Sequence, residues 1–164
     1  MASVQRLNHA VLYVGNVARS VAFYERHLGM EAVHTFPGAA FMRSRGSGND
    51  HDLGLFGVGE GTPGPQSVRR GLYHLAWQVD TIEDLAAIRT SLAAAGALVG
   101  ESDHGMSKSL YVHDPDGIEF EVMWAVPQSE WPNIKMGTDR LDLGADLARW
   151  AAVATGHEAN VPAS

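Results

Sequence analysis

The chain has no cysteine in its 164 residues, which excludes disulfides, thiolate metal centres and cysteine nucleophiles. Any metal must be held by its 8 His or its 19 Asp and Glu. Basic residues are few as well. The 12 Lys and Arg leave a net charge of -7 and a pI near 5.5, and they are scattered, so no basic surface exists for a phosphate backbone. Nucleic acid is therefore not an expected partner. No run approaches the roughly 18 apolar residues of a membrane span, and the first nine residues lack a basic-then-apolar leader. A cytoplasmic protein with no membrane partner is the expectation. The length suits a single domain with a real core.

What is present is a pattern that runs twice. Residues 5–14 read as a strand, Val17–Leu28 as an amphipathic helix stopped by Gly29, and 30–36, 39–45 and 51–58 as short strands. After the Gly/Pro-rich stretch 59–66 the order restarts with a strand at 71–80. Thr81 and Asp84 form a capping-box pattern before a helix over 82–95, and strands follow at 97–103, 108–113 and 118–125. His9, Val14 and Val17 repeat as His74, Val79 and Ile82 at one offset of 65 residues. An internal duplication explains this, giving βαβββ modules at about 5–58 and 71–125. The expected fold is α+β: two paired modules forming one cupped mixed sheet with helices outside, over residues 1–125. Residues 126–164 form a C-terminal extension with a helix predicted over 139–155 and a mobile tail.

Strand alternation then assigns faces. Ile118, Phe120, Val122 and Trp124 point to the helix side, so Glu119, Glu121 and Met123 point away from it. The same parity puts His74 opposite the apolar set Tyr73, Leu75, Trp77 and Val79, and the repeat carries His9 with it. His9, His74 and one of the two glutamates are thereby expected to converge. Two imidazoles and a carboxylate make the facial set associated with non-haem iron. At the same offset the first-half counterpart of Glu121 is Phe56, flanked by Leu55 and Gly57, so no fourth ligand is expected. Gly57-Val-Gly-Glu-Gly is not a nucleotide loop, because Thr62-Pro-Gly-Pro follows and no helix can start there.

The stretch 103–121 holds a His, a Tyr and a carboxylate around one tight turn. His104, Leu110-Tyr111, Asp114-Pro115-Asp116-Gly117 and Glu121 resemble the signature of type I extradiol ring-cleavage dioxygenases, within the vicinal oxygen chelate superfamily of glyoxalase I and the bleomycin- and fosfomycin-resistance proteins. The chain departs from that signature at Ser102, where Gly, Asn, Thr or an aliphatic residue is favoured. His51-Asp-Leu-Gly-Leu resembles the family's stretch bearing its distal histidine. The resemblance implies His9, His74 and Glu121 as ligands of Fe(II), or of Mn(II). It also implies His51 as the acid/base group on the O₂ side, and His104 with Tyr111 at the substrate oxygens. The expected partners are a small aromatic diol and O₂, and the expected assembly is a homodimer or higher homo-oligomer. The competing functions are a glyoxalase-like isomerase, lyase or thiol transferase on the same fold, and a metal-free drug-binding protein.

Overall fold

The computed structural model describes residues 2–66 and 70–155. The tail expected to be mobile lies outside the described residues from 156 onward. The chain divides between Pro65 and Gln66 into two compact units.

Unit 1 runs β1 (Ala10–Val14), α1 (Val17–Leu28), β2 (Glu31–Phe36), β3 (Ala39–Arg43) and β4 (Leu53–Gly57). The helix begins where it does because the Asn16 side chain accepts from the Arg19 amide. It ends because Gly29 adopts a left-handed φ of 65°, with its N–H turned back onto the last turn. The strands pair in the order β1-β4-β3-β2, with β1 parallel to β4 and the other pairs antiparallel. Leu12, Val14, Ala40, Met42, Leu53 and Leu55 fill the buried side with Tyr24 of α1, whereas Val11 and Tyr13 are exposed.

Unit 2 repeats the scheme with β5 (Leu75–Gln78), α2 (Ile82–Ala94), β6 (Leu98–Asp103), β7 (Ser107–His113) and β8 (Glu119–Ala125), ordered β5-β8-β7-β6. Thr81 caps α2 as its sequence predicts: the Asp84 amide donates to Thr81 Oγ1 at 3.1 Å, and the Thr81 hydroxyl donates to Asp84 Oδ2 at 2.7 Å. Leu110, Val112, Phe120, Val122 and Trp124 are buried together with Ile82, Leu85 and Leu92 of α2. The Trp124 indole donates to the Asp80 carbonyl at 3.2 Å, and its ring lies 5.8 Å from that of Trp150.

The two modules of the α+β fold are thus present, and hydrogen bonding gathers their strands into two mixed sheets of four, one per unit. The C-terminal extension differs from its predicted form. A 3₁₀ turn occupies Gln128–Asn133, Asp139 makes a two-way backbone bridge with Asp103, and the helix α3 spans only Leu143–Trp150. Asp142 sets its start by accepting from the Ala145 amide, and Asp139 is drawn into a bridge with Asp103 instead of a first helical turn.

Candidate active site

In unit 2 the face of the sheet turned away from α2 carries the chemistry. Register places Glu121 between Ala76 on β5 and Tyr111 on β7, and Glu119 opposite His113. His74 sits one residue before β5, where the backbone has left the ladder but keeps the side chain on this face. Its Nε2 lies 3.1 Å from Glu121 Oε2 and its Nδ1 lies 3.9 Å from Glu119 Oε1. That Nδ1 is buried without a hydrogen-bond partner. Parity alone left Glu119 and Glu121 equivalent, and the side chains separate them. Glu121 meets the outer nitrogen of His74, while Glu119 is shared among His74, His113 at 3.6 Å and the Tyr73 phenol, which its charge holds above the ordinary tyrosine value.

His104, at the end of β6, aligns with Tyr111. Its Nε2 is 2.8 Å from the Tyr111 hydroxyl, and its Nδ1 is 3.3 Å from the Gly137 carbonyl. Burial, then the charge of Glu121, raises the Tyr111 pKa, so the phenol stays protonated at neutral pH. The His74 and Tyr111 rings lie 5.8 Å apart, which joins the two pairs into one patch.

In unit 1, His9 and His51 precede β1 and β4 instead of lying within them, and their rings approach to 4.7 Å. His9 Nδ1 contacts Asn8 Oδ1 at 2.9 Å. His51 Nδ1 contacts Asp50 Oδ2 at 2.9 Å, and its ring packs 4.8 Å from Phe41. Asp50 was missed by sequence reasoning, which attended to the His-Asp pair His51-Asp52. Asp52 is instead a buried brace that accepts from the Ser44 amide, the Ser47 hydroxyl and the Asn49 side chain. Asp50 contacts both His51 and His34, and these hydrogen bonds lower its pKa. His34 is exposed on β2, with its Nε2 3.3 Å from Asp50 Oδ1.

The repeat alignment needs a correction in its last strand. Ala76 pairs with Glu121, and its counterpart Val11 pairs with Gly54, so Gly54 and not Phe56 occupies the place of Glu121. The first module has two fewer residues before this position of its last strand than a constant offset of 65 gives. Gly54 has no side chain, so this position still supplies no fourth ligand.

The His74–Glu121 pair has the chemistry and spacing of two ligands of a first-row divalent ion. Two donors each about 2.1 Å from one ion and at right angles stand roughly 3 Å apart, the separation seen between His74 and Glu121. Within either unit, among the described residues, no three His, Asp or Glu side chains form a complete metal-binding group.

A family model described as the Glyoxalase/Bleomycin resistance protein/Dioxygenase superfamily matches residues 6–122. The chain belongs to this superfamily. Among its superfamily relatives, a manganese-dependent 2,3-dihydroxybiphenyl 1,2-dioxygenase from Geobacillus genomosp. 3 is 29% identical over 139 residues, covering 82% of this chain but 41% of that protein. Biphenyl-2,3-diol 1,2-dioxygenase 3 of Rhodococcus globerulus is 28% identical over 169 residues, covering 100% of this chain and 88% of the relative. The chain therefore spans less than half the length of the first and most of the second. A solved glyoxylase/bleomycin resistance protein/dioxygenase domain from Frankia sp. EAN1pec superimposes with a TM-score of 0.61 at 25% identity, over 76% of this chain and 100% of that one. No helix among the described residues is long and apolar enough to cross a membrane.

Proposed function

We propose that this superfamily member is a metal-dependent extradiol dioxygenase that opens the ring of a catechol-type substrate with both atoms of O₂. The observation that best supports this reading is the patch on unit 2, where the His74–Glu121 pair at 3.1 Å adjoins the Tyr111–His104 hydrogen bond at 2.8 Å. In this reading His74 and Glu121 are ligands of Fe(II) or Mn(II), and His9 is the third ligand that the family resemblance implies. When bound, the ion supplies a Lewis acid at which a catechol and O₂ are brought side by side.

The chain's own groups then manage protons and orientation. Asp50 accepts from His51 Nδ1, which leaves His51 Nε2 free to take or return a proton. Tyr111 stays a phenol and can donate to a substrate oxygen or to His104. Phe41, against His51, offers an aromatic edge beside that histidine. A small aromatic diol and O₂ are the proposed partners, and a homodimer or higher homo-oligomer the proposed assembly.

The test is anaerobic loading of the full chain with Fe(II) or Mn(II), followed by oxygen-electrode assays on a catechol panel that includes 2,3-dihydroxybiphenyl. The expected result is O₂ uptake with a coloured ring-opened product. No uptake across the panel would overturn the reading, and turnover of a glyoxalase-type substrate with Zn or Ni would replace it by an isomerase.

A further inference from the structure

Among the described residues, the C-terminal extension meets the candidate site at His104, and the contact there is chemically specific. Residues 134–139 run beside the turn that joins β6 to β7. Asp103 and Asp139 exchange both backbone hydrogen bonds at 2.9 Å. Gly105, at φ 80°, lets the extension come so near that a Cβ there would lie 2.4 Å from the Lys135 carbonyl oxygen and 2.9 Å from the Ile134 side chain. The Asp103 carboxylate ties the turn itself, accepting from the Gly105 amide through Oδ1 at 2.7 Å and from Lys108 Nζ through Oδ2 at 2.5 Å. Lys108 also lies 3.4 Å from Asp146 on α3, so the extension is held at both ends of its approach.

Between these anchors the Gly137 carbonyl meets His104 Nδ1 at 3.3 Å. A carbonyl can only accept, so Nδ1 must carry a proton. A neutral His104 protonated at Nδ1 has a bare Nε2, and that nitrogen faces the Tyr111 hydroxyl at 2.8 Å. With the opposite tautomer the Gly137 oxygen and Nδ1 would be two acceptors in contact, and the Tyr111 hydroxyl could not donate to the ring.

We propose that residues 134–139 are a positioning strap that fixes His104 in its Nδ1–H tautomer, so that Nε2 serves as the proton acceptor for Tyr111. Gly137 acts through its backbone carbonyl, and Gly105 is the residue that admits the strap. The direction of proton movement along Tyr111–His104 is thereby set by a segment outside the two βαβββ modules. Its catalytic consequence rests on the dioxygenase reading, whereas the tautomer itself does not.

The experiment is ¹⁵N-labelling of the full chain and long-range ¹H–¹⁵N correlation of the histidine rings at neutral pH, with His104 assigned by the signal lost in His104→Gln. The expected wild-type pattern is a protonated Nδ1 and an unprotonated Nε2. Gly105→Ala should push the strap away and convert His104 to the Nε2–H form or a mixture. Gly96→Ala, which imposes similar backbone strain at φ 67° with nothing within 4 Å, should keep the wild-type pattern. If Gly105→Ala does not fold, Asp139→Pro removes the Asp139 N–H donated to Asp103 and makes the same test. An Nε2–H wild-type His104 overturns the proposal. So does an unchanged pattern in a variant whose bridge at residue 139 has lost protection from hydrogen exchange. In turnover, the strap variant should lose about 10-fold in kcat with KM nearly unchanged. Absence of O₂ uptake by the wild type would remove the dioxygenase reading and leave the tautomer result standing.

Discussion

Glu119 and Glu121 are two residues apart on one face, and their neighbours give them different work. Glu121 lies against His74 Nε2, while Glu119 is drawn toward Tyr73, His113 and the inner nitrogen of His74. Glu121→Gln is therefore expected to weaken metal retention by at least about 100-fold, and Glu119→Gln by no more than about 10-fold, measured by metal analysis after dialysis. Equal losses would show that the two carboxylates share the ion. Asp50 makes a second contrast. It is exposed, and its carboxylate meets the rings of His51 and His34, so Asp50→Asn should lower kcat about 10-fold with little change in KM, whereas His51→Ala should cost about 100-fold or more in oxygen-uptake assays. Sequence parity could mark these faces but could not rank the residues on them. The choice between neighbours depends on rotamers and on groups such as Gly137, distant in sequence and contributing only a carbonyl.

The helices α1 and α2 were legible to within a residue, because each carries its own punctuation. Asn16 and Gly29 bound α1, and Thr81 with Asp84 opens α2. Thr81→Ala should accordingly cost about 1 kcal/mol in chemical denaturation. Strand ends were less legible, since they depend on a partner's register: His9, His51 and His74 each fall just outside their strands. The α3 boundary was misjudged for a related reason, as Asp139 pairs with Asp103 at the end of β6, far away in sequence. Asp146 on α3 adds a pH signature. Burial raises its pKa, outweighing the attraction of Lys108, so the folded state disfavours the ionised form. That cost is absent below the ordinary aspartate value near 4 and grows as pH rises through the raised folded value. Asp146→Asn is expected to melt above wild type at pH 7, with the gap closing toward pH 4 in thermal scans at both pH values.

At the scale of the whole molecule, duplication was the most legible property, since one repeated motif predicted both βαβββ modules. The shift between Phe56 and Gly54 escaped it, because an insertion inside one copy leaves the motif at its start intact. If His9, His74 and Glu121 together hold an ion, binding must raise global stability by linkage. At a free metal concentration 100 times Kd, the full chain should gain about 2.7 kcal/mol over the chelator-treated protein, and Glu121→Ala should abolish the increment in paired melts.

The burial of Trp124 against Trp150 has a practical consequence for such melts. All four tryptophans, at 77, 124, 131 and 150, lie beyond residue 65. Tryptophan emission is thus a private reporter of the second unit, while far-ultraviolet dichroism registers both. The lag between the two curves, recorded on one unlabelled sample, measures how independently the two halves come apart.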